Sequence, residues 1–284
     1  MIFDSQKAVD ISRGELTASL REGHLQIDEV DLGIIDVVKR FASEFGRRPR
    51  VMDIGCGNGF FPARLLEAVP EIDFVARESW EIAVKELKQR FEGTPVRIFT
   101  APLADWDEPL DVVINWSRHH HWPRTYLDHI KRFMAPDGVM VLADEFCPEY
   151  CFGEYAERIH NADRIYLGGG YVLVDDEEVA AYEKDGTLPD IAREMEKLRL
   201  KALWRWYRYV LDYAIEHDHM HAAVLELRAV RDDLDTDCGH ELKLSPLIVE
   251  KELELKGFRK LACHTAAPNE PLDLRSGFVY EYGL

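Results

Sequence analysis

The segment VMDIGCGNGFF, residues 51–61, carries the most structural information in the chain. Gly55, Gly57 and Gly59 stand between a short apolar run, which reads as a strand, and FFPARLLEAV (60–69), which reads as a helix. Pro62 suits the first turn of that helix. Glycine lets the chain turn sharply and lets backbone N–H groups come close to a ligand. Asp53 precedes the turn. A phosphate site has no use for that negative charge, which suits a ligand bearing an amine or another cation. The lysine of a phosphate-cradling G-x-x-x-x-G-K-[ST] loop is also missing.

Outward from this turn, strands and helices alternate. IDFVA (72–76) reads as a second strand, and SWEIAVKELKQRF (79–91) as a helix with Ser79 as N-cap. VRIFTA (96–101), LDVVIN (110–115) and GVMVLADEF (138–146) read as strands three to five. TYLDHIKRFM (125–134) is the helix between the last two, stopped by Pro136 and Gly138. Upstream, SRGE (12–15) fits a capping box, and Leu32, Ile35, Val38 and Phe41 fall at helical spacing. After Phe146 the rhythm breaks. Residues 148–245 read mostly as helix and loop, before two closing strands, FRKLACHT (258–265) and SGFVYEYGL (276–284).

The expected fold is α/β, a doubly wound, seven-stranded, mostly parallel sheet. A helical N-terminal segment (1–46) precedes a core formed by residues 47–147 and 246–284. A helical insertion (148–245) separates strands five and six.

Composition narrows the partners. Fifty-three acidic residues against 35 basic give a net charge of −18, which argues against a nucleic-acid partner, because affinity for phosphate backbones comes mainly from Lys and Arg. No stretch reaches the ~20 apolar residues that cross a bilayer. The opening residues lack the pattern of a secretory signal, and five cysteines at irregular spacing describe no disulfide framework. A cytoplasmic protein with no membrane partner is expected.

DIGCGNG (53–59) resembles the first motif of the class I S-adenosylmethionine-dependent methyltransferases, and the resemblance extends over residues 47–147 and the closing strands. It implies S-adenosylmethionine as cofactor and a small-molecule substrate, in an enzyme of the kind found in secondary metabolism. The turn Gly55–Cys56–Gly57 would lie under the methionine part and ribose, with Asp53 holding the amino end. The family places an acid at the tip of strand two for the ribose hydroxyls. Here Arg77 and Glu78 adjoin at that tip, and two arrangements fit. Glu78 takes the ribose through a one-residue shift, or Arg77 enters the pocket and meets a carboxylate of the cofactor or substrate. Asp105 and Trp106 correspond to the adenine-binding segment, although the family's acid usually stands where this chain has Pro102. Asn115 and Trp116 would come near the sulfonium methyl, where an aromatic face attracts the cation.

In NWSRHHHWP (115–123), His119, His120 and His121 are candidate general bases. Packing is the plainer reading, and a metal site lacks flanking carboxylates. Asp144 and Glu145 end strand five at the same edge and are candidates to orient substrate or accept a proton. In the insertion, Tyr171 follows a three-glycine run that would make a hinge or wall. Trp206, Tyr209 and Tyr213 share a helix face with Arg205 and Arg208 beside it. That face is a helix core or homodimer contact, or it is a lid over the substrate. Cys147 and Cys151 read as structural, and His217, His219 and His221 as solvated.

The resemblance implies methyl transfer. Transfer or cyclisation of the cofactor's aminocarboxypropyl arm, releasing methylthioadenosine, is the alternative within the same pocket. A non-catalytic scaffold is the alternative of another class.

Overall fold

The structure is a computed structural model that describes residues 27–119, 122, 124–145, 215, 216, 218, 220, 246–265 and 277–284. The capping box at 12–15, His120, His121, the cysteines 147 and 151, and nearly all of the 148–245 insertion, with Tyr171, Trp206, Tyr209 and its histidines, lie outside the described residues.

Seven strands form one sheet: β1 (Arg50–Ile54), β2 (Asp73–Arg77), β3 (Arg97–Phe99), β4 (Leu110–Trp116), β5 (Met134–Glu145), β6 (Arg259–Thr265) and β7 (Gly277–Gly283). Their spatial order is β3-β2-β1-β4-β5-β7-β6. The β3-β2-β1-β4-β5 pairs are parallel, and β7 runs antiparallel between β5 and β6. The chain moves outward from β1 to β3, then crosses back to place β4 on the other side of β1. That reversal opens a crevice beyond the carboxyl ends of β1 and β4.

Both faces of the sheet are covered, so its central strands read as continuous apolar runs rather than alternating ones. On one face Met52, Ile54, Val75, Val113, Met140, Leu142, Tyr280 and Tyr282 pack with helices α4 (Thr125–Phe133) and α5 (Pro246–Leu255). On the other, Val51, Phe74, Ala76, Val112, Ile114, Val141 and Val279 pack with α1 (Ile27–Glu44), α2 (Phe60–Ala68) and α3 (Glu81–Arg90).

Four local expectations are corrected. Ser79 does not cap α3. Trp80 occupies the cap position with no side-chain cap bond, and the Glu78 carboxylate accepts from the Ser79 and Trp80 N–H groups instead. Leu32 is not on the buried stripe of α1. It is 51% exposed, whereas Val30, Asp31, Ile34, Ile35 and Val38 are buried. The core face is therefore set by positions 27, 30, 31, 34, 35 and 38, with a carboxylate inside it. Strand β5 begins at Met134, directly after α4, and is irregular opposite Leu110 and Val112 before Val139 restores the register. Finally, α5 precedes β6 where only strands were expected.

The contrast on α1 is testable. Ile34→Ala opens a cavity at a fully buried position and is expected to cost about 2–5 kcal/mol in urea denaturation. Leu32→Ala, on the exposed side of the same helix, is expected to stay within about 0.5 kcal/mol.

Candidate active site

The turn after β1 is built from backbone bonds. Gly55 (φ 76°) and Gly57 (φ 56°) take left-handed conformations that side chains resist. The N–H groups of Gly55 and Cys56 donate to the Arg77 carbonyl at 2.8 and 3.1 Å. The Gly57 N–H donates to Glu78 Oε2 at 2.9 Å, while Glu78 Oε1 accepts from Ser79 N at 2.7 Å and Trp80 N at 2.9 Å. One buried carboxylate thus ties the glycine turn to the start of α3. A charged acceptor makes such bonds stronger than a neutral one would.

Strand alternation separates Arg77 from Glu78. Glu78 reaches the turn. Arg77 pairs with Ile54 and shares its face, and its guanidinium lies 5.2 Å from the centroid of the Trp122 ring.

Asp53 is 2% exposed, and its Oδ1 has no hydrogen-bond partner. Burial pushes its pKa up to about 8; Arg118 pulls it down, and Glu78 and Asp31 push it further up. Asp53 thus places a buried acceptor without a donor at the carboxyl edge of the sheet, a group that calls for an explanation.

Arg118 was passed over in the sequence beside the three histidines. Ser117 sits at φ 57°, a left-handed conformation uncommon outside glycine, and turns the chain back after β4. Arg118 then lies across the glycine turn. Its Nε donates to the Gly55 carbonyl at 2.9 Å, and a Cβ added at Gly55 would meet Arg118 Cγ at 2.6 Å. Its Nη2 is 3.7 Å from Glu78 Oε2, and its N–H donates to Asn115 Oδ1 at 3.2 Å.

Asp31 was also missed. It accepts from Trp116 Nε1 at 3.0 Å and from Arg64 at 3.1 Å, which fixes the indole at the end of β4. Its signal was a carboxylate at a core position of an amphipathic helix.

The remaining candidates divide. His119 is fully buried. Its Nδ1 is 2.5 Å from the Tyr126 hydroxyl and its Nε2 is 2.8 Å from Glu252 Oε2. Arg124 donates to the same Glu252 oxygen at 2.7 Å and to the carbonyls of His119 and Trp122, each at 2.6 Å. Burial and Arg124 lower the His119 pKa, against Glu252 and Asp144, which raise it. A neutral ring donating from Nε2 and accepting at Nδ1 satisfies every partner. His119 is therefore corrected from candidate base to buried packing residue, because both nitrogens are committed and neither reaches solvent. Glu252 gave no sequence signal, since it lies 133 positions from His119.

Trp106 is corrected from an adenine wall to a core residue. It is 6% exposed, edge-on to Phe99 at 5.1 Å, and its Nε1 donates to the Glu108 carbonyl at 2.6 Å. Asp105 lies exposed on a single 3-10 turn (Leu103–Asp105). Asp144 is buried at the end of β5, close enough to act on the pKa of both His119 and Tyr126. Cys56 is half-buried, and burial with Asp53 and Glu78 raises its thiol pKa well above the ordinary value. Among the described residues, no group of three or more His, Cys, Asp or Glu could hold a metal ion, and no helix is long and apolar enough to cross a membrane.

This strand order, with its carboxylate-closed glycine turn at the β1/β4 reversal, defines a Rossmann-like domain of the class I methyltransferase type. Residues 51–138 match the family model described as a methyltransferase domain. A malonyl-[acyl-carrier protein] O-methyltransferase of Paenibacillus sp. (strain JDR-2) is 25% identical over 118 residues, covering 37% of this chain and 42% of the relative. The chain thus spans less than half the length of that curated relative. Among solved structures, a SAM-dependent methyltransferase from Leishmania major aligns at 14% identity and TM-score 0.49, covering 98% of this chain and 82% of that one. The CurJ carbon methyltransferase aligns at 13% identity and TM-score 0.49, covering 89% and 53%.

The Asp53 carboxyl gives a measurable pH signature. With a folded pKa of about 8 against an ordinary 3.8, the folded chain keeps a proton that the unfolded chain has released, so stability falls as pH rises between those values. Asp53→Asn removes this dependence. The stability of Asp53→Asn relative to wild type, from urea denaturation of the ligand-free protein, is expected to grow from pH 5 to pH 8 and level off above. A difference that stays flat over that range would mean that the carboxyl is already ionised near pH 5.

Proposed function

We propose that the chain binds S-adenosylmethionine at the β1/β4 crevice and transfers its methyl group to a small-molecule acceptor. The observation that carries this reading is the unpartnered Asp53 Oδ1, buried beside a left-handed glycine turn, within a methyltransferase domain. The residues present fit the cofactor. Asp53 offers an anionic acceptor to its ammonium, Arg118 a cation to its carboxylate, Gly57 a stretch of backbone without a side chain of its own, and Glu78 an acceptor to its ribose hydroxyls. Bound there, the cofactor supplies a methyl group already activated by positive charge on sulfur.

The chain's contribution is then chiefly position. Trp116, its indole held by Asp31, and Asn115, its amide held by the Arg118 N–H, stand at the end of β4 next to the turn. Holding two reactants in line supplies about 7–11 kcal/mol of a barrier, so a dedicated base is optional. The curated relative's name gives it an oxygen acceptor, and an oxygen nucleophile is the acceptor type this reading takes first.

Calorimetry with S-adenosylmethionine and S-adenosylhomocysteine tests binding, and the spent nucleoside tests the chemistry. S-adenosylhomocysteine is the expected by-product, whereas methylthioadenosine would transfer the reading to the aminocarboxypropyl arm. No binding of either ligand would leave a scaffold. Glu78→Ala removes charge-assisted acceptors and is expected to weaken binding about 10–100-fold. At neutral pH, cofactor binding is expected to release about one proton as the ammonium ionises Asp53. Asp53→Asn is expected to abolish that release, read from the buffer dependence of the binding enthalpy.

A further inference from the structure

Arg77 stands apart from the other buried charges. It is 8% exposed, and its Nε is a buried donor with no partner. Arg124, the other buried arginine among the described residues, is met by Glu252 and two carbonyls. Among the described residues the Arg77 guanidinium makes no hydrogen bond; it lies against the Trp122 ring, 5.2 Å away, and Trp122 is itself braced edge-on by Tyr126 at 5.5 Å. A cation–π contact orients a guanidinium but leaves its N–H groups unsatisfied. Burying such a group without an oxygen acceptor is costly. Its flat fork is the shape that binds a carboxylate through two parallel bonds. Its backbone carbonyl receives the Gly55 and Cys56 N–H groups, so the residue lies directly under the glycine turn.

We infer that Arg77, held on Trp122, receives a carboxylate of the acceptor substrate. This rests on the methyl-transfer reading above. The cofactor carries a carboxylate too, but that group shares a carbon with the ammonium assigned to Asp53. The cation receiving it must therefore lie where it also acts on Asp53. Arg118, which lies across the glycine turn, does so. Arg77 also projects from the opposite face of the sheet, in register with Ile54 rather than Asp53. That leaves the Arg77 fork for the second reactant and makes the acceptor an acid.

The test uses the full chain saturated with S-adenosylhomocysteine, titrated with succinate and with neutral succinamide. Wild type is expected to bind succinate and not succinamide. Arg77→Met is expected to weaken succinate at least about tenfold while holding S-adenosylhomocysteine within about threefold, and to melt no lower than wild type. Arg77→Lys, which keeps the charge but loses the fork, is expected to recover only part of the succinate affinity. Unchanged succinate binding in Arg77→Met, or a lower melting temperature, overturns the inference by making the guanidinium structural. A tenfold loss of S-adenosylhomocysteine affinity in Arg77→Met, with methylthioadenosine unaffected, overturns it in favour of the cofactor's own carboxylate. Wild type that binds S-adenosylhomocysteine but not succinate overturns it alone, whereas wild type that binds neither overturns the proposed function as well.

Discussion

The Glu78 carboxylate is the clamp on which the cleft depends. One oxygen takes the Gly57 N–H and the other takes the N–H groups of Ser79 and Trp80, which lead into α3. Without it, three backbone donors near the sheet's edge would need other partners, and a buried donor left unpaired costs about 1–3 kcal/mol. The clamp also explains why the turn can be so rich in glycine. Left-handed glycines cost conformational entropy on ordering, and bonds from the turn to Arg77 O and Glu78 recover part of that cost by holding one conformation.

Around this clamp the charges are unevenly satisfied. Arg118 has a carbonyl and a nearby carboxylate, Asp31 has an indole and an arginine, and Arg124 has Glu252. Asp53 keeps an oxygen without a donor, and Arg77 a nitrogen without an acceptor. These two unsatisfied atoms point from opposite faces of the sheet at adjacent strand ends.

The histidine that looked chemically active lies deeper, in a network whose logic is mechanical. Tyr126, His119, Glu252 and Arg124 link the loop after β4 to α4 and α5. Removing one member of such a buried charged set costs about 3–5 kcal/mol, because the others lose their compensation. The network fixes the loop that carries Arg118 at one end and Trp122 at the other. His119 thus belongs to this buried network.

Much of this was legible along the chain. The glycine turn with its preceding acid, the strand and helix alternation, and the Arg77–Glu78 pair are local patterns, set by backbone sterics and by the two-residue and 3.6-residue periods, and these survive into the fold. They established the α/β class, the edge where the cleft lies and the ambiguity at the tip of β2. Tertiary structure decided what distance along the chain conceals. It gave Glu78 to the turn and Arg77 to the opposite face, because strand alternation only acquires meaning once the neighbouring strand fixes the register. It buried Trp106 and His119, which sequence context offered to a ligand, and brought Glu252 to His119 and Asp31 to Trp116. Those pairings join residues 133 and 85 positions apart. Such contacts follow from which helix covers which face of the sheet, and no local propensity encodes that choice.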